Sequence, residues 1–218
     1  PYRHVTKASL GHVLIIGSGT GNDAAVALSE GARHVDTVEI DPLLVRLGQM
    51  HPNHPYSSPR LTAHVDDGRA YLQNTSKHYN LILFALPDSL TALAGQSAIR
   101  LESYLLTEQS LQAVRAQLAP GGTFAMYNYY APFLESRYAS TIEDAFGRTP
   151  CTEVGQPLGG RRLAVLTVHP GGAVPNCASF YHGNRIAPAT DDHPFPYLPG
   201  NGIPRAYLWM LAAIFALS

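Results

Sequence analysis

The chain has 218 residues, 45% of them hydrophobic, which is enough to bury one substantial core. Its formal net charge is −1 with acidic and basic residues mixed along the chain, so we expect no nucleic-acid partner. Cys151 and Cys177 lie far apart and lack a second ligand at zinc-site spacing. We therefore expect free thiols in a reducing compartment and no metal site.

Strand and helix signals alternate along the chain, which predicts an α/β fold with a doubly wound, mostly parallel, Rossmann-like sheet. Strands are predicted at 12–16, 37–40, 61–65, 81–84 and 123–129, and a late strand of an antiparallel pair at 161–168. Helices are predicted at 22–30, from Pro42 onward, at 107–118 and at 134–146. The segment 119–122 is expected to be a turn that closes the third of these helices. Two histidines, His51 and His54, fall in a proline-containing segment that we interpret as a solvated loop.

The two ends of the chain are unusual. It begins at Pro1 without an initiator methionine, which suggests an excised or processed segment. Residues 206–218 carry no charge and begin with Tyr207 and Trp209, as membrane-interface segments do. A helix packed on the sheet is the alternative, but we expect a truncated transmembrane helix. The resulting layout is a nucleoside-binding domain at 1–169, a Pro/Gly-rich loop region at 170–205 and a membrane segment at 206–218, on the cytoplasmic side of an integral membrane protein.

A glycine-rich turn follows the first predicted strand. Glycines at positions 17, 19 and 21 form a G-x-G-x-G pattern, and Asn22 stands where a dinucleotide fingerprint has its third glycine. This spacing favours a ligand of the adenosylmethionine type, which has no pyrophosphate to bind. Gly17, Gly19, Thr20 and Gly21 are therefore candidate ligand-binding residues.

Carboxylates follow three of the predicted strands, at the edge where α/β folds bind ligands. Glu39 could accept hydrogen bonds from both ribose hydroxyls. Asp67, followed by Gly68, could accept from the adenine amino group, or it forms an ordinary Asp-Gly turn. Asp88 could hold or deprotonate a cationic amine, or it forms a local turn. Tyrosines 127, 129 and 130 could pack against a ligand, or against the core and its rim.

Together these positions resemble the spermidine synthase (polyamine aminopropyltransferase) family, which has the class I methyltransferase-like fold. The resemblance covers roughly residues 10–130 and rests on four motifs: Ile16-Gly17-Ser18-Gly19-Thr20-Gly21, Val38-Glu39-Ile40-Asp41, Val65-Asp66-Asp67-Gly68, and Tyr79-Asn80-Leu81-Ile82-Leu83 leading to Pro87-Asp88. Two later motifs, at 125–130 and 190–195, look like the bacterial branch in which such a domain is joined to membrane helices.

The resemblance implies a co-substrate, decarboxylated S-adenosylmethionine or S-adenosylmethionine, and no prosthetic group. A small-molecule amine would attack the methylene beside the sulfonium, and methylthioadenosine would leave. Asp88 would be the catalytic residue. The ligand-binding residues would be Gly17, Gly19, Thr20, Gly21, Glu39, Asp67 and Gly68.

Two positions depart from the family pattern. Thr20 replaces the aspartate that binds the ammonium of the co-substrate, and Ala85 replaces the aspartate that takes the proton of the amine. Three functions stay open: aminopropyl transfer, another adenosylmethionine-dependent reaction such as methyl transfer or sulfonium cleavage, and nucleoside binding without turnover in a membrane protein. The oligomeric state is also open, with a homodimer as one option.

Overall fold

Strands and helices alternate in the computed structural model, which describes residues 1–5, 10–86, 101–198 and 205–217. The strands are β1 (His12–Ile16), β2 (His34–Glu39), β3 (Leu61–Val65), β4 (Tyr79–Ala85), β5 (Leu118–Tyr130), β6 (Cys151–Leu158) and β7 (Arg161–Val168). The helices are α1 (Asn22–Ser29), α2 (Pro42–Gly48), α3 (Gly68–Asn74), α4 (Leu101–Leu105), α5 (Glu108–Ala116), α6 (Pro132–Phe146) and α7 (Arg205–Leu217). Short 3-10 helices cover Tyr2–His4 and Pro55–Ser57.

The seven strands form one sheet in the order β3-β2-β1-β4-β5-β7-β6. Strands β1 to β5 are parallel, and β7 is antiparallel to both β5 and β6. The predicted α/β fold with a mostly parallel sheet is therefore confirmed. The apolar strand β4 is central, as predicted, and residues Leu81 to Phe84 are fully buried. The ends of β1, β2, β3, β4 and β5 meet at one edge, which we call the carboxyl edge.

Alternation along the strands divides the core between the two faces of the sheet. On one face, Val13, Ile15, Leu81, Leu83 and Ala85 pack with helix α1. We call this the α1 face. On the other face, alternate residues of the same strands pack with α5 and α6: Leu14, Ile16, Ile82, Phe84 and Phe124. The direction of a strand-end side chain thus decides on which face it can contribute to a site.

The start of β5 differs from the prediction. The Ala-Pro-Gly-Gly segment at 119–122 belongs to the strand instead of forming a turn after α5. Helix α5 already ends at Ala116, and Tyr79 donates its backbone N–H to the Gln117 carbonyl at 2.9 Å. Leu118 then pairs with Tyr79, and the register shifts between Tyr79 and Leu81. Pairing with β4 therefore outweighs the local turn signal of the glycines.

A buried polar network lies on β2, away from the carboxyl edge. The Asp36 carboxylate is fully buried and accepts hydrogen bonds from His64 Nε2 at 2.9 Å and from Lys77 Nζ at 2.9 and 3.0 Å. The Tyr79 hydroxyl donates to the same carboxylate at 3.2 Å. Burial by itself would raise the pKa of Asp36, but the hydrogen bonds from His64 and Lys77 hold that pKa below its ordinary value.

The prediction of free thiols is wrong. Cys151, at the start of β6, forms a disulfide with Cys177. The two cysteines meet because the chain around Ser179 runs beside β6: Thr152 N–H donates to the Ser179 carbonyl, and Tyr181 N–H to the Pro150 carbonyl, both at 2.9 Å. Separation in sequence did not reveal this proximity, since it arises from the return of the chain after β7.

The segment 170–198 has no named helix or strand, yet buried contacts fix it to α6. The Arg137 side chain is 2% exposed and donates to four carbonyls of this segment. Its Nε bonds Ala187 at 3.2 Å, and its Nη1 bonds Phe195 and Pro196 at 2.9 Å each and Leu198 at 2.6 Å. Burial lowers the pKa of Arg137. The guanidinium thus fixes two parts of this segment, at 187 and at 195–198, against α6.

The prediction of a membrane-anchored domain is wrong. The apolar tail forms helix α7, which is 13 residues long. Among the residues that the structure describes, no helix is long and apolar enough to cross a membrane. We therefore withdraw the placement in an integral membrane protein.

Candidate functional site

The glycine turn connects β1 to α1 at the carboxyl edge. Gly17 N–H donates to the Val38 carbonyl of β2 at 2.9 Å, which holds the turn against the end of that strand. Gly19 has φ +52°, and a Cβ on it would meet no atom within 4 Å. That side of the turn is open for a ligand. The carbonyl of Thr20 instead faces α2, where it would lie 2.9 Å from a Cβ on Gly48.

Glu39 faces the glycine turn, as the sequence predicts. Its Oε2 accepts from Gly19 N–H at 2.7 Å, and its Oε1 accepts from Asp41 N–H at 3.0 Å. The residue is 7% exposed. Two carboxylate oxygens have about four lone-pair sites, so each oxygen can accept a further hydrogen bond. The carboxylate is therefore oriented by the backbone and retains the capacity to bind a diol.

Tyr56 follows the segment of His51 and His54 that we interpreted as a solvated loop, and it supports the glycine turn through its hydroxyl. Its hydroxyl donates to the Gly19 carbonyl at 2.8 Å and lies 3.0 Å from Ser18 Oγ. Its ring leaves no room for a side chain at positions 21 and 48. A Cβ on Gly21 would lie 2.9 Å from Tyr56 Cε2, and a Cβ on Gly48 would lie 2.3 Å from the same atom. Burial raises the pKa of Tyr56, so the hydroxyl stays protonated and remains a donor at neutral pH. Sequence analysis missed this residue, and the small residues at 21 and 48 were its only signal.

Replacing Tyr56 with phenylalanine should lower the free energy of unfolding by about 0.5–1.5 kcal/mol, the usual net value of a lost hydrogen bond. The ring would stay in place, so the effect should be confined to the glycine turn. Hydrogen exchange should accelerate at the amides of Gly19 and Gly21. A Tyr207→Phe control on the exposed face of α7 should leave both quantities unchanged. Equal exchange rates in Tyr56→Phe and wild type would contradict the proposed support.

Asp67 and Gly68 form the start of α3 at the end of β3. One oxygen of Asp67 caps the helix by accepting from Ala70 N–H at 2.9 Å. Asp67 thus has a local capping role in place of the Asp-Gly turn that the sequence offered as an alternative, and its second oxygen is the one left for a ligand. Gly68 has a packing role, because a Cβ there would lie 2.5 Å from Ile16 Cγ2. It allows α3 to begin directly against the end of β1.

Arg69 links this turn to the C-terminal segment. Its guanidinium binds both oxygens of Asp191, at 2.6 and 2.5 Å. Thr107, the N-cap of α5, donates to the same carboxylate at 2.7 Å. The guanidinium of Arg69 holds the pKa of Asp191 below its ordinary value. The motif at 190–195 is therefore attached, through Asp191, to a residue two positions after Asp67.

The end of β4 contains the second departure from the family pattern. Ala85 is buried on the α1 face and pairs in register with Tyr127 of β5. Leu86, next along the chain, has φ +46°, which is unusual for leucine. The predicted catalytic residue Asp88 lies outside the described residues. Of the eight predicted site residues, the structure brings Gly17, Gly19, Thr20, Gly21, Glu39, Asp67 and Gly68 to the carboxyl edge.

Known proteins are similar to this chain in sequence. Residues 3–154 match the family model described as the spermine/spermidine synthase domain. A polyamine aminopropyltransferase of Prochlorococcus marinus is 34% identical over 126 residues, 55% of this chain and 41% of that protein. Polyamine aminopropyltransferase 2 of Hyperthermus butylicus is 30% identical over 141 residues, 62% of this chain and 44% of that protein. The chain thus spans less than half the length of these curated relatives.

Solved structures show the same fold at low identity. Spermidine synthase from Thermotoga maritima superposes with a TM-score of 0.61 and 15% identity, covering 97% of this chain and 72% of that one. Human methyltransferase-like protein 13 in complex with SAH superposes with a TM-score of 0.56 and 19% identity, covering 76% of each chain. These likenesses establish a class I methyltransferase-like fold. Since the family model matches more than half of the chain, the chain belongs to the spermine/spermidine synthase family.

Proposed function

We propose that this chain is the nucleoside-binding part of an aminopropyltransferase that uses decarboxylated S-adenosylmethionine. The family membership and the names of the curated relatives support this function. The observation that carries it is the position of Glu39, whose oxygens are 2.7 Å from Gly19 N–H and 3.0 Å from Asp41 N–H. A carboxylate oriented in this way beside an open glycine turn suits a ribose diol.

The remaining predicted residues have roles in the same proposal. Gly17, Gly19, Thr20 and Gly21 would follow the nucleoside and its tail, and Asp67 with Gly68 would contact the adenine. Asp88 stays the predicted catalytic carboxylate. We also keep the layout in which the nucleoside-binding domain spans 1–169 and a Pro/Gly-rich loop region spans 170–205. A homodimer stays a prediction that light scattering can test.

The reaction is a displacement at carbon. The lone pair of the amine nitrogen forms a bond to the methylene beside the sulfonium, while the carbon–sulfur bond breaks and its electron pair stays on sulfur. Neutral methylthioadenosine leaves, and the proton released from nitrogen goes to a carboxylate base. The base must lie near the amine, because the proton is released from the nitrogen that forms the new bond.

An assay of methylthioadenosine release tests the proposal against its alternatives. Release should require both decarboxylated S-adenosylmethionine and an amine such as 1,4-diaminobutane. Turnover of S-adenosylmethionine itself would favour methyl transfer or sulfonium cleavage, and nucleoside binding without any turnover would favour a binding domain. Family membership favours aminopropyl transfer among these three.

Replacing Glu39 with glutamine should weaken the binding of methylthioadenosine by about 1–3 kcal/mol, because charge-assisted hydrogen bonds to the ribose would be lost. Isothermal titration calorimetry measures this directly. Glutamine keeps one carbonyl oxygen to accept from the glycine turn, so the fold should survive.

The matched control is Glu108→Gln, which removes the same charge from the first turn of α5, where Glu108 accepts from Gln112 at 3.0 Å. Its affinity for methylthioadenosine should equal that of wild type. Unchanged affinity in Glu39→Gln would refute the ribose assignment.

A further inference from the structure

A second carboxylate, on helix α1, contacts β5, the strand that pairs with β4. Asp23 lies in the first turn of α1, three residues after Thr20. Its Oδ2 accepts a hydrogen bond from the Tyr127 hydroxyl at 2.7 Å, although the two residues are 104 positions apart in sequence. Tyr127 in turn pairs in register with Ala85. Tyr127 thus bonds Asp23 through its hydroxyl and is the neighbour of Ala85 on the adjacent strand.

Ala85 and Tyr127 lie on the same face of the sheet as helix α1. Ala85 is buried in the cluster on the α1 face, and Tyr127 packs against the same cluster. A side chain at position 85 therefore points to the side from which α1 delivers Asp23. Thr20 and Ala85 stand where the family pattern has acidic residues, and Asp23 is an acidic residue of the helix that follows the glycine turn.

The surroundings of Asp23 suit a cation. The Tyr127 hydroxyl donates to its carboxylate at 2.7 Å, and the Tyr2 hydroxyl lies 3.5 Å from its backbone carbonyl. Tyrosine rings beside a carboxylate favour an ammonium through cation–π attraction as well as charge. Burial raises the pKa of Asp23 even though the Tyr127 hydrogen bond opposes this shift. The positive charge of the Pro1 amino group also opposes the rise in the pKa, so a cation already acts on this carboxylate within the fold.

We propose that Asp23, oriented by Tyr127, binds a substrate ammonium group at the carboxyl edge and replaces the carboxylates missing at Thr20 and Ala85. This inference rests on the proposed function and names the residue that would bind the ammonium group of a substrate. Two ligands have such an ammonium group: the acceptor amine and decarboxylated S-adenosylmethionine, which has it on its aminopropyl tail. A lone pair of Asp23 beyond the one used by Tyr127 would accept the ammonium hydrogen bond.

The test uses the full chain with Asp23→Asn, in which an amide oxygen can still accept from Tyr127. Three dissociation constants are measured by calorimetry: for methylthioadenosine, which has no ammonium, for decarboxylated S-adenosylmethionine, and for 1,4-diaminobutane added to protein loaded with methylthioadenosine. We expect unchanged methylthioadenosine binding and about 10- to 100-fold weaker binding of one ammonium ligand, the range for a lost charge-assisted hydrogen bond. Loss for the diamine identifies the acceptor as the source, and loss for the co-substrate identifies the tail.

The matched control is Glu30→Gln, which removes one negative charge at the other end of α1. Asp23→Asn values equal to the control for all three ligands would overturn the inference. Tyr127→Phe is a second variant. It keeps the Asp23 carboxylate but removes the hydrogen bond that orients it, and it should weaken binding of the same ammonium ligand by a smaller factor. An effect of Tyr127→Phe on methylthioadenosine alone would also overturn it.

The failure of the proposed function gives a different result. Wild-type protein that releases no methylthioadenosine with any amine would remove aminopropyl transfer, while the ammonium selectivity of Asp23 would still be read from the three dissociation constants. Conversely, amine-dependent turnover that Asp23→Asn leaves at the wild-type kcat and KM would retain the function and remove the role of Asp23.

Discussion

Replacing Asp36 with asparagine should lower the free energy of unfolding by about 2–4 kcal/mol, since hydrogen bonds to a charged group contribute about 1.5–3 kcal/mol each. The carboxylate is fully buried and accepts from His64, Lys77 and Tyr79. An asparagine oxygen can satisfy only part of this set, and its amide would face a donor. Lys77 is 47% exposed and can be rehydrated, which limits the loss. Urea unfolding measures the change.

The control is Asp144→Asn, because Asp144 forms a surface ion pair with Arg185. Exposed pairs contribute about 0–1 kcal/mol, so this variant should unfold close to wild type. A difference between Asp36→Asn and wild type no larger than that of the control would show that the network does not stabilise the fold.

The effect of Asp36 should depend on pH. The folded-state pKa of Asp36 is lower than the ordinary value of about 3.9, so the native state binds its proton less tightly than the unfolded chain does. The stabilisation is therefore fully present above about pH 5, where the unfolded chain is also ionised, and is lost as pH falls through the folded pKa. The stability gap between wild type and Asp36→Asn should narrow below about pH 4. A gap that stays constant from pH 7 to pH 3 would contradict the lowered pKa.

Replacing Arg137 with methionine should lower the free energy of unfolding by about 3–5 kcal/mol. Methionine fills much of the same space but donates no hydrogen bonds, and four carbonyls of the segment 187–198 would lose their donor. Each buried polar group left unsatisfied costs about 1–3 kcal/mol, with some relief as the segment takes up water. The released segment should become sensitive to proteases, which limited proteolysis with mass spectrometry would detect.

Arg185→Met provides the comparison, because Arg185 is 58% exposed and binds Glu143 and Asp144 at the surface. It should unfold close to wild type, because exposed ion pairs contribute little to stability. If cleavage within 187–198 were equally slow in Arg137→Met and in this control, Arg137 would not be what fixes the segment.

Local signals predicted several elements well. The bounds of β3 and β7 agree with the prediction to the residue, and Thr107 caps α5 as expected. These features depend on short apolar runs and on one side chain hydrogen-bonded to a nearby backbone N–H, and both are readable in a few residues. The start of β5 was predicted wrongly because strand pairing with β4 outweighed a local turn signal.

The candidate site was predictable on its nucleoside side for the same reason. Glycines 17, 19 and 21 and Glu39 follow two neighbouring parallel strands, and such strands bring their ends together. The supporting contacts were not predictable. Tyr56 bonds the glycine turn from the short 3-10 helix at 55–57, and Asp23 meets Tyr127 across 104 residues of sequence. Nothing in the local sequence around either residue indicates its partner.

By itself, the sequence determined the α/β class, the central position of β4, the glycine turn and the acid that faces it, because each of these follows from periodicity or from spacing within one strand-turn-helix unit. The tertiary structure alone decided the Cys151–Cys177 disulfide, the Arg137 contacts, the support of the turn by Tyr56 and the contact of Asp23 with Tyr127 of β5. All four are long-range contacts, and their partners are brought together by the order of the strands and by the return of the chain after β7.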